Sequence, residues 1–266
     1  MNSVTSPDST AVGGARSLAA DTGLVCCREL RPLLRDPFSV VFTLVQPLVF
    51  LAFFGPLLDT VAGIGGDSTL QWFVPGIIVM SALFGASATG SNLAEEIASG
   101  SYERMLVTPL HRSALLLGRA GKELVPTIAQ AVVIMAVVIP FGFDLFPLGA
   151  TAGLSLIAVF AVGLGALSHA LALAVRDNQW MFWAIQQTVL FPLLLLSGIL
   201  LPIDDAPGWI TVLSRINPLT YIVNAARDLF ANDFVASTII SGAVASAGVL
   251  IVGLAAGLKS VHNSAR

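Results

Sequence analysis

The chain has little charge: Asp, Glu, Lys and Arg make up 11% of its 266 residues, whereas hydrophobic residues make up 56%. A soluble domain usually has about a quarter charged residues, so too few are present to cover a water-exposed surface. The net charge of -3 comes without a basic stripe, which argues against nucleic-acid binding. The two cysteines, Cys26 and Cys27, are adjacent, which excludes a disulfide framework. These absences leave a membrane protein with several spans.

Groups that perform chemistry are also scarce. The three histidines have no metal-ligand spacing with one another or with the cysteines. The sequence around Gly121 and Lys122 lacks the glycine and the hydroxyl of a phosphate-binding loop. We therefore predict no catalytic residue, no cofactor and no metal on this chain, with any nucleotide site on another chain. The alternatives to a subunit driven by ATP on another chain are a membrane-embedded lipid-modifying enzyme and an ATP-independent carrier or pore.

Six apolar runs without a charged residue in their interior are long enough to cross a bilayer, which takes about 20 residues. They are residues 38–58, 72–93, 125–141, 148–175, 180–201 and 237–258. Because lipid offers the backbone no hydrogen bonds, such continuous runs form helices. The sequence predicts an all-α membrane protein with six transmembrane helices.

The basic residues predict the orientation of these helices. With both termini on one side, 11 of the 13 Lys and Arg residues lie on that side, and basic residues accumulate on the cytoplasmic side. We expect a cytoplasmic tail at 1–37, a transmembrane domain at 38–258 and a cytoplasmic tail at 259–266.

The segment 15–36 before the first span has the pattern of an amphipathic helix. Arg28, Arg31 and Arg35 share one helical face, and apolar residues occupy much of the other. Such a helix lies in the headgroup region with arginine toward anionic lipid, and Pro32 predicts a kink or break. The alternative is a solvated tail whose arginines only fix the topology.

The long inner loop at 94–123 mixes charges of both signs with apolar residues. This composition fits a docking surface for a soluble partner as well as a plain connector. The charged residues of this loop are Glu95, Glu96, Glu103, Arg104, Arg112, Arg119, Lys122 and Glu123.

The segment 202–232 is too apolar for a free outer loop and too interrupted for a span. Short helices that dip part-way into the membrane fit better, with a break at an Asn-Pro pair. The segment contains Pro202, Pro207, Trp209, Asn217, Pro218 and Tyr221.

A further group of small and amide side chains lies within the spans. Ser81, Gly85 and Thr89 recur at a four-residue spacing that lets helices approach closely. They either pack helices or line a pathway, and Gln46 and Gln186 are further candidates for these roles.

Three blocks in order resemble one family. The first block is Arg-Asp-Pro at 35–37 with Gln-Pro-Leu at 46–48. The second is Glu-Glu at 95–96 with Gly-Ser-Tyr-Glu-Arg-Met-Leu-Val-Thr-Pro at 100–109 and then Arg112. The third is Leu-Ser-Gly-Ile-Leu-Leu-Pro at 196–202, followed by Pro-Gly-Trp at 207–209 and by Asn-Pro-Leu-Thr-Tyr at 217–221 with Arg227. The chain resembles the permease subunit of ABC-2 type ATP-binding-cassette exporters, in the daunorubicin/doxorubicin-resistance-like branch. The family usually has Gly-Thr-Leu-Glu-Arg at 100–104, and the Glu-Arg pair is kept here.

The resemblance implies an exporter subunit in a cell membrane, expected to be the bacterial inner membrane. It implies that 103–109 is or adjoins a coupling helix that docks on a separate ATPase, which is present in two copies and binds ATP and Mg. The coupling residues that it implies are Glu95, Glu96, Glu103, Arg104, Thr108, Pro109 and Arg112. It also implies a connecting helix at 15–36, an outer gate at 202–232, and a second permease subunit, identical or different. Because the spans lack charge, we expect a lipophilic drug or lipid-like cargo.

Overall fold

The computed structural model describes residues 18–35, 37–59, 69–106, 112–176, 178–203 and 206–263. Every regular element in these residues is a helix, which confirms the all-α prediction. In chain order they are α1 (Leu18–Arg35), α2 (Pro37–Asp59), α3 (Thr69–Ala98), α4 (Ser101–Leu106), α5 (Arg112–Lys122), α6 (Leu124–Val138), α7 (Pro147–Ala174), α8 (Gln179–Leu195), α9 (Gly208–Ile216), α10 (Pro218–Phe230) and α11 (Ala236–Asn263).

Each of the six predicted apolar runs forms a helix. Within the described ranges, four stretches are long and apolar enough to cross a membrane: Thr69–Ala98, Ser113–Phe141, Pro147–Ala174 and Ala236–His262. The apolar part of α2 is shorter, Thr43–Leu57, and the 17 residues of α8 extend over about 25 Å at 1.5 Å per residue. The chain is a membrane protein by these helices, and the count of six spans stays a prediction.

The predicted fifth helix is too long at its C-terminal end. The prediction extends it to residue 201, whereas α8 ends at Leu195. A turn follows, in which the Ser197 hydroxyl donates to the Leu194 carbonyl at 2.6 Å and accepts from the Ile199 amide at 3.3 Å. Gly198 has φ +75°, a conformation that glycine adopts without steric penalty. The apolar run continues past this turn, which is why hydropathy alone misses it.

Helix α7 lies at the centre of the bundle and packs against α3, α10 and α11. It meets α11 at backbone distance, because Gly163 and Gly253 face each other across the contact. Small residues let helices approach this closely in a bilayer, where packing rather than the hydrophobic effect drives their association.

Two further segments contain helices. The described residues of 94–123 comprise the end of α3, the short α4 and all of α5. Residues 202–232 contain α9 and α10, which meet at Asn217 and confirm the predicted break. Helix α1 continues past position 32 to Arg35, so a break at Pro32 is wrong, and the alternative of a kink there stays a prediction.

Candidate functional site

A cluster of buried charges joins three helices at the end of the bundle that carries α1, α4 and α5, here called the α5 end. Arg119 of α5 has a side chain only 2% exposed. Its Nε lies 3.3 Å from Oε1 of Glu29 on α1, and its Nη2 donates to Oε2 of Glu96 on α3. Lys122 adds a bond from Nζ to Oε2 of Glu29 at 3.4 Å. A planar guanidinium has donors for two carboxylates in different directions, so this arginine connects α1, α3 and α5.

Helix α1 packs tightly on α5. An ideal Cβ on Gly118 would lie 2.6 Å from Cβ of Val25 and 2.9 Å from the carbonyl oxygen of Thr22. The contact with α5 includes Val25, which is buried. Burial and the neighbouring Cys27 raise the pKa of the Cys26 thiol on this helix.

Arg28, Arg31 and Arg35 all lie on the exposed side of α1. The structure therefore brings the three arginines to one side, as the spacing predicts.

A second polar contact lies deeper between α3, α6 and α7. The carboxylate of Glu123, just before α6, accepts from the Thr89 hydroxyl of α3 at 2.5 Å. Gly165 of α7 leaves room for it, since an ideal Cβ there would lie 3.2 Å from Cγ of Glu123. His169, one turn further along α7, is buried, and neither ring nitrogen has a hydrogen-bond partner among the described residues.

The predicted docking residues are only partly described. Glu95 is exposed at the end of α3, and Arg104 is exposed on α4. Glu96 is half-buried and pairs with Arg119 within the chain. Thr108, Pro109 and the side chains of Glu103 and Arg112 lie outside the described part of the chain.

At the opposite end of the bundle, here called the α10 end, Asn217 ties the start of α10 to the end of α8. Its Oδ1 accepts from the Leu219 amide at 3.0 Å, and its Nδ2 donates to the Leu193 carbonyl at 2.8 Å. The Thr220 hydroxyl donates to the Leu196 carbonyl at 3.1 Å. These bonds satisfy backbone groups that helix ends leave unpaired.

Arg227 of α10 is the other multiply bonded arginine. Its guanidinium lies 3.7 Å from the centroid of the Trp72 ring, and its Nε donates to the Trp72 carbonyl at 3.0 Å. Its Nη2 donates to the Gly198 carbonyl at 2.7 Å. Arg227 thus holds the start of α3 and the turn after α8 against α10.

The remaining predicted outer-gate residues lie around this contact. Pro202 and Pro218 are half-buried, whereas Pro207 and Trp209 are exposed. The Tyr221 hydroxyl donates to the Arg215 carbonyl at 2.7 Å, which joins α10 to α9.

The small residues predicted on the second span have different surroundings. Ser81 is buried and donates to the Ile77 carbonyl of its own helix at 2.9 Å, whereas Gly85 is half-buried with no atom within 4 Å of an ideal Cβ. Of the predicted amides, Gln46 is exposed on α2, and Gln186 is half-buried on α8.

The described surface includes an apolar cavity and a polar cavity. One of about 540 Å³ is apolar and lies between α2, α3 and α6, with Leu51, Pro56 and Phe141 among its lining residues. The other, of about 710 Å³, is polar and lies at the α10 end beside Arg227 and Asp228; partial burial raises the pKa of Asp228. Within the described ranges, no three His, Cys, Asp or Glu side chains are placed to share a metal ion.

Sequence reasoning misses the two arginines that the structure makes prominent. Arg119 is predicted only as one basic residue of an inner loop, and Arg227 only as part of the third family block. The amphipathic pattern of 112–122 is a signal for Arg119, because its charged and apolar positions alternate with the helical period. Neither pattern identifies the partners.

A helical membrane bundle with amphipathic α1, docked on α5, and two short helices before its last span defines a membrane transport subunit. The chain belongs to the ABC-2 type transporter family, whose sequence model matches residues 21–231. In this family the chain is a transport permease, and the ATPase is a separate chain.

Three relatives illustrate the range of the family. The chain is 29% identical over 206 residues to a putative transport permease, ycf38, of Cyanophora paradoxa, covering 75% of this chain and 70% of the relative. It is 26% identical over 195 residues to the daunorubicin resistance permease DrrB1 of Streptomyces coeruleorubidus, covering 73% and 69%. It is 27% identical over 240 residues to a probable doxorubicin resistance permease, DrrC, of Mycobacterium tuberculosis, covering 90% and 87%.

Proposed function

We propose that the chain is the transmembrane subunit of an ATP-driven exporter that moves a lipophilic drug or lipid-like compound out of the cell. The names of its relatives support drug export. ATP and Mg bind to two copies of the partner ATPase. The complex lies in the bacterial inner membrane, with six spans and both termini in the cytoplasm.

The α5 end is the face that docks on the ATPase. The observation that carries this assignment is the placement of α4: it follows α3 directly, it presents the exposed Arg104, and it lies beside the buried charge cluster of Arg119. A rigid contact of this kind gives a partner direct leverage on two spans. The proposed docking surface also includes Glu95, Glu103, Thr108, Pro109 and Arg112. Glu96 lies behind this surface and pairs with Arg119.

Helix α1 is the connecting helix at the inner membrane surface. One face packs on α5, and a separate exposed side carries Arg28, Arg31 and Arg35. Exposed arginines next to a membrane attract anionic headgroups, with about 1 kcal/mol for each basic residue. We place this arginine face against lipid.

A second permease subunit covers α2 and α8. Both helices expose large apolar side chains, and each also exposes an amide near its middle, Gln46 on α2 and Gln187 on α8. An amide left without partners in hydrocarbon costs roughly 2–7 kcal/mol. We therefore place these faces, together with Gly85 of α3, at the subunit interface and along the cargo pathway. The lining is apolar with a few amides, which suits a lipophilic cargo.

At the α10 end, α9 and α10 dip into the outer leaflet and form the outer gate. The bonds of Asn217 to α8 and of Arg227 to α3 support this proposal, because they connect α10 to two spans. The exposed Trp209 suits the membrane interface, where tryptophan is enriched. Pro202, Pro207, Pro218 and Tyr221 shape the turns around it.

Co-purification followed by reconstitution tests the proposal. A tagged chain extracted in mild detergent should retain an ATP-binding chain, and the pair in liposomes should move daunorubicin only when ATP is present. Arg104→Ala should reduce the retained ATPase, whereas Lys259→Ala, an exposed basic residue of α11, should not. Transport without ATP, or a chain that retains no ATP-binding partner, would refute the proposal.

A further inference from the structure

We infer that Arg119 is a positioning residue that makes α1, α3 and α5 move as one unit when the ATPase pushes on the α5 end. This inference rests on the proposed function and deepens it, since it names the residue through which docking reaches the spans. Arg119 itself is buried and is not part of the docking surface.

The burial of Arg119 and the identity of its partners are the first argument. Among the described residues, Arg119 is the only arginine or lysine that is buried. Its two carboxylate partners come from different helices. Glu29 lies in the middle of α1, and Glu96 lies in the last turn of α3. An uncompensated charge in such a place is strongly unfavourable, so the three helices keep their relative positions as long as the pairs persist.

The position of the cluster in the chain is the second argument. Two residues after α1 ends, α2 begins, and α4 follows α3 after a two-residue turn. The ring of Tyr102 on α4 lies 6.0 Å from the Arg119 guanidinium. A displacement of α4 is therefore transmitted to Arg119. From Arg119 it reaches α1 and α2 through Glu29, and it reaches α3 through Glu96.

The contact at Gly118 is independent support. Since an ideal Cβ there would lie 2.6 Å from Cβ of Val25, the side chain of Val25 on α1 packs directly on the backbone of α5. Packed contacts of this kind transmit displacement because protein interiors have low compressibility. The ion pairs add α3 to the unit that α1 and α5 already form.

The test compares two kinds of variant in the intact complex with its ATPase. One replaces the paired side chains with uncharged ones, and the other is conservative. The triple variant Glu29→Gln, Glu96→Gln and Arg119→Met removes the connection without leaving an unpaired carboxylate. Lys259→Met is the matched control, because Lys259 is an exposed basic residue near the end of α11. The readout is maleimide labelling of Gln46→Cys on α2, in a background with Cys26→Ala and Cys27→Ala, with and without ATP and vanadate.

In the otherwise unchanged chain, and in Lys259→Met, trapping of ATP should change the labelling rate by about fivefold or more, the lower end of usual coupling between sites. In the triple variant the ATPase should still co-purify and still hydrolyse ATP, but the labelling change should disappear. A merely structural role would instead reduce ATPase retention, hydrolysis and labelling response together, so equal losses in all three would overturn the inference.

The conservative variant keeps the test decisive if the triple variant does not insert. Arg119→Lys keeps the charge but loses the two-directional donor set, so it should fold and show a reduced labelling response at unchanged ATPase retention. A full response in Arg119→Lys, or in the inserted triple variant, would overturn the inference and leave the proposed function intact. An unmodified chain that retains no ATPase would overturn both.

Discussion

The contact between α7 and α11 gives a stability prediction that can be worked from distances. Gly253 of α11 faces Gly163 of α7 so closely that an ideal Cβ on Gly253 would lie 2.9 Å from the carbonyl carbon of Gly163 and 3.3 Å from its Cα. Non-bonded carbon atoms prefer about 3.5–4.0 Å. Gly253→Ala therefore forces the two helices apart by up to about 1 Å.

The magnitude follows from two opposing terms. Overpacking of this kind costs about 1–3 kcal/mol, and alanine gains about 1 kcal/mol over glycine in a helix interior. Gly248→Ala on the same helix separates these terms, because an ideal Cβ on Gly248 has no atom within 4 Å. The two variants share the propensity gain, so their free energies of unfolding should differ by about 1–3 kcal/mol.

The assay is reversible unfolding in mixed micelles with increasing SDS, followed by tryptophan fluorescence. Gly248→Ala should unfold at the same or a higher SDS fraction than the unmodified chain, and Gly253→Ala at a lower one. If Gly253→Ala is as stable as Gly248→Ala, the close approach of α7 and α11 is wrong.

Three further predictions concern other contacts. In a Cys27→Ala background, Gly118→Ala should weaken the α1–α5 contact and expose Cys26 to maleimide, whereas Gly121→Ala, with no atom within 4 Å of its ideal Cβ, should not; equal labelling would contradict that contact. Arg227→Met should lower the free energy of unfolding by about 2 kcal/mol or more, from lost charged hydrogen bonds and a lost cation–π contact, and the exposed Arg215→Met serves as its control in the same SDS assay. Because the folded-state pKa of Asp228 is raised, the carboxyl binds its proton more tightly when folded, and stability falls as pH rises above the ordinary pKa of 3.8. Asp228→Asn should remove that fall, so it should be more stable than the unmodified chain at pH 7 and equal to it well below pH 3.8; a difference that does not depend on pH would contradict the assignment.

The positions of the long helices are predictable from the sequence because hydrocarbon leaves the backbone no alternative. The predicted runs at 148–175 and 237–258 correspond to α7 and α11, and the main error, at the end of α8, arises where an apolar run passes through a turn. Ser197 and Gly198 are the local signal for that turn, but an apolar window gives them little weight.

The candidate site is less predictable because its contacts are distant in the chain. Arg119 is 90 residues from Glu29 and 23 from Glu96, and local periodicity indicates which face of a helix is polar but not which helix covers it. The arginine face of α1 is local and is predicted. That Val25 and Gly118 press the other face onto α5 is not, since lipid and protein both accept an apolar surface.

Photo-crosslinking in intact cells tests directly whether the α5 end docks on an ATPase in the cytoplasm. A photo-crosslinking amino acid is placed at position 104, which is exposed on α4. The matched site at the opposite end is position 209, which is exposed on α9. Position 104 should form an adduct with an ATP-binding chain, and position 209 should not. An ATPase adduct from position 209 would contradict the claim, and so would labelling of Arg104→Cys by a membrane-impermeant reagent added outside the cell.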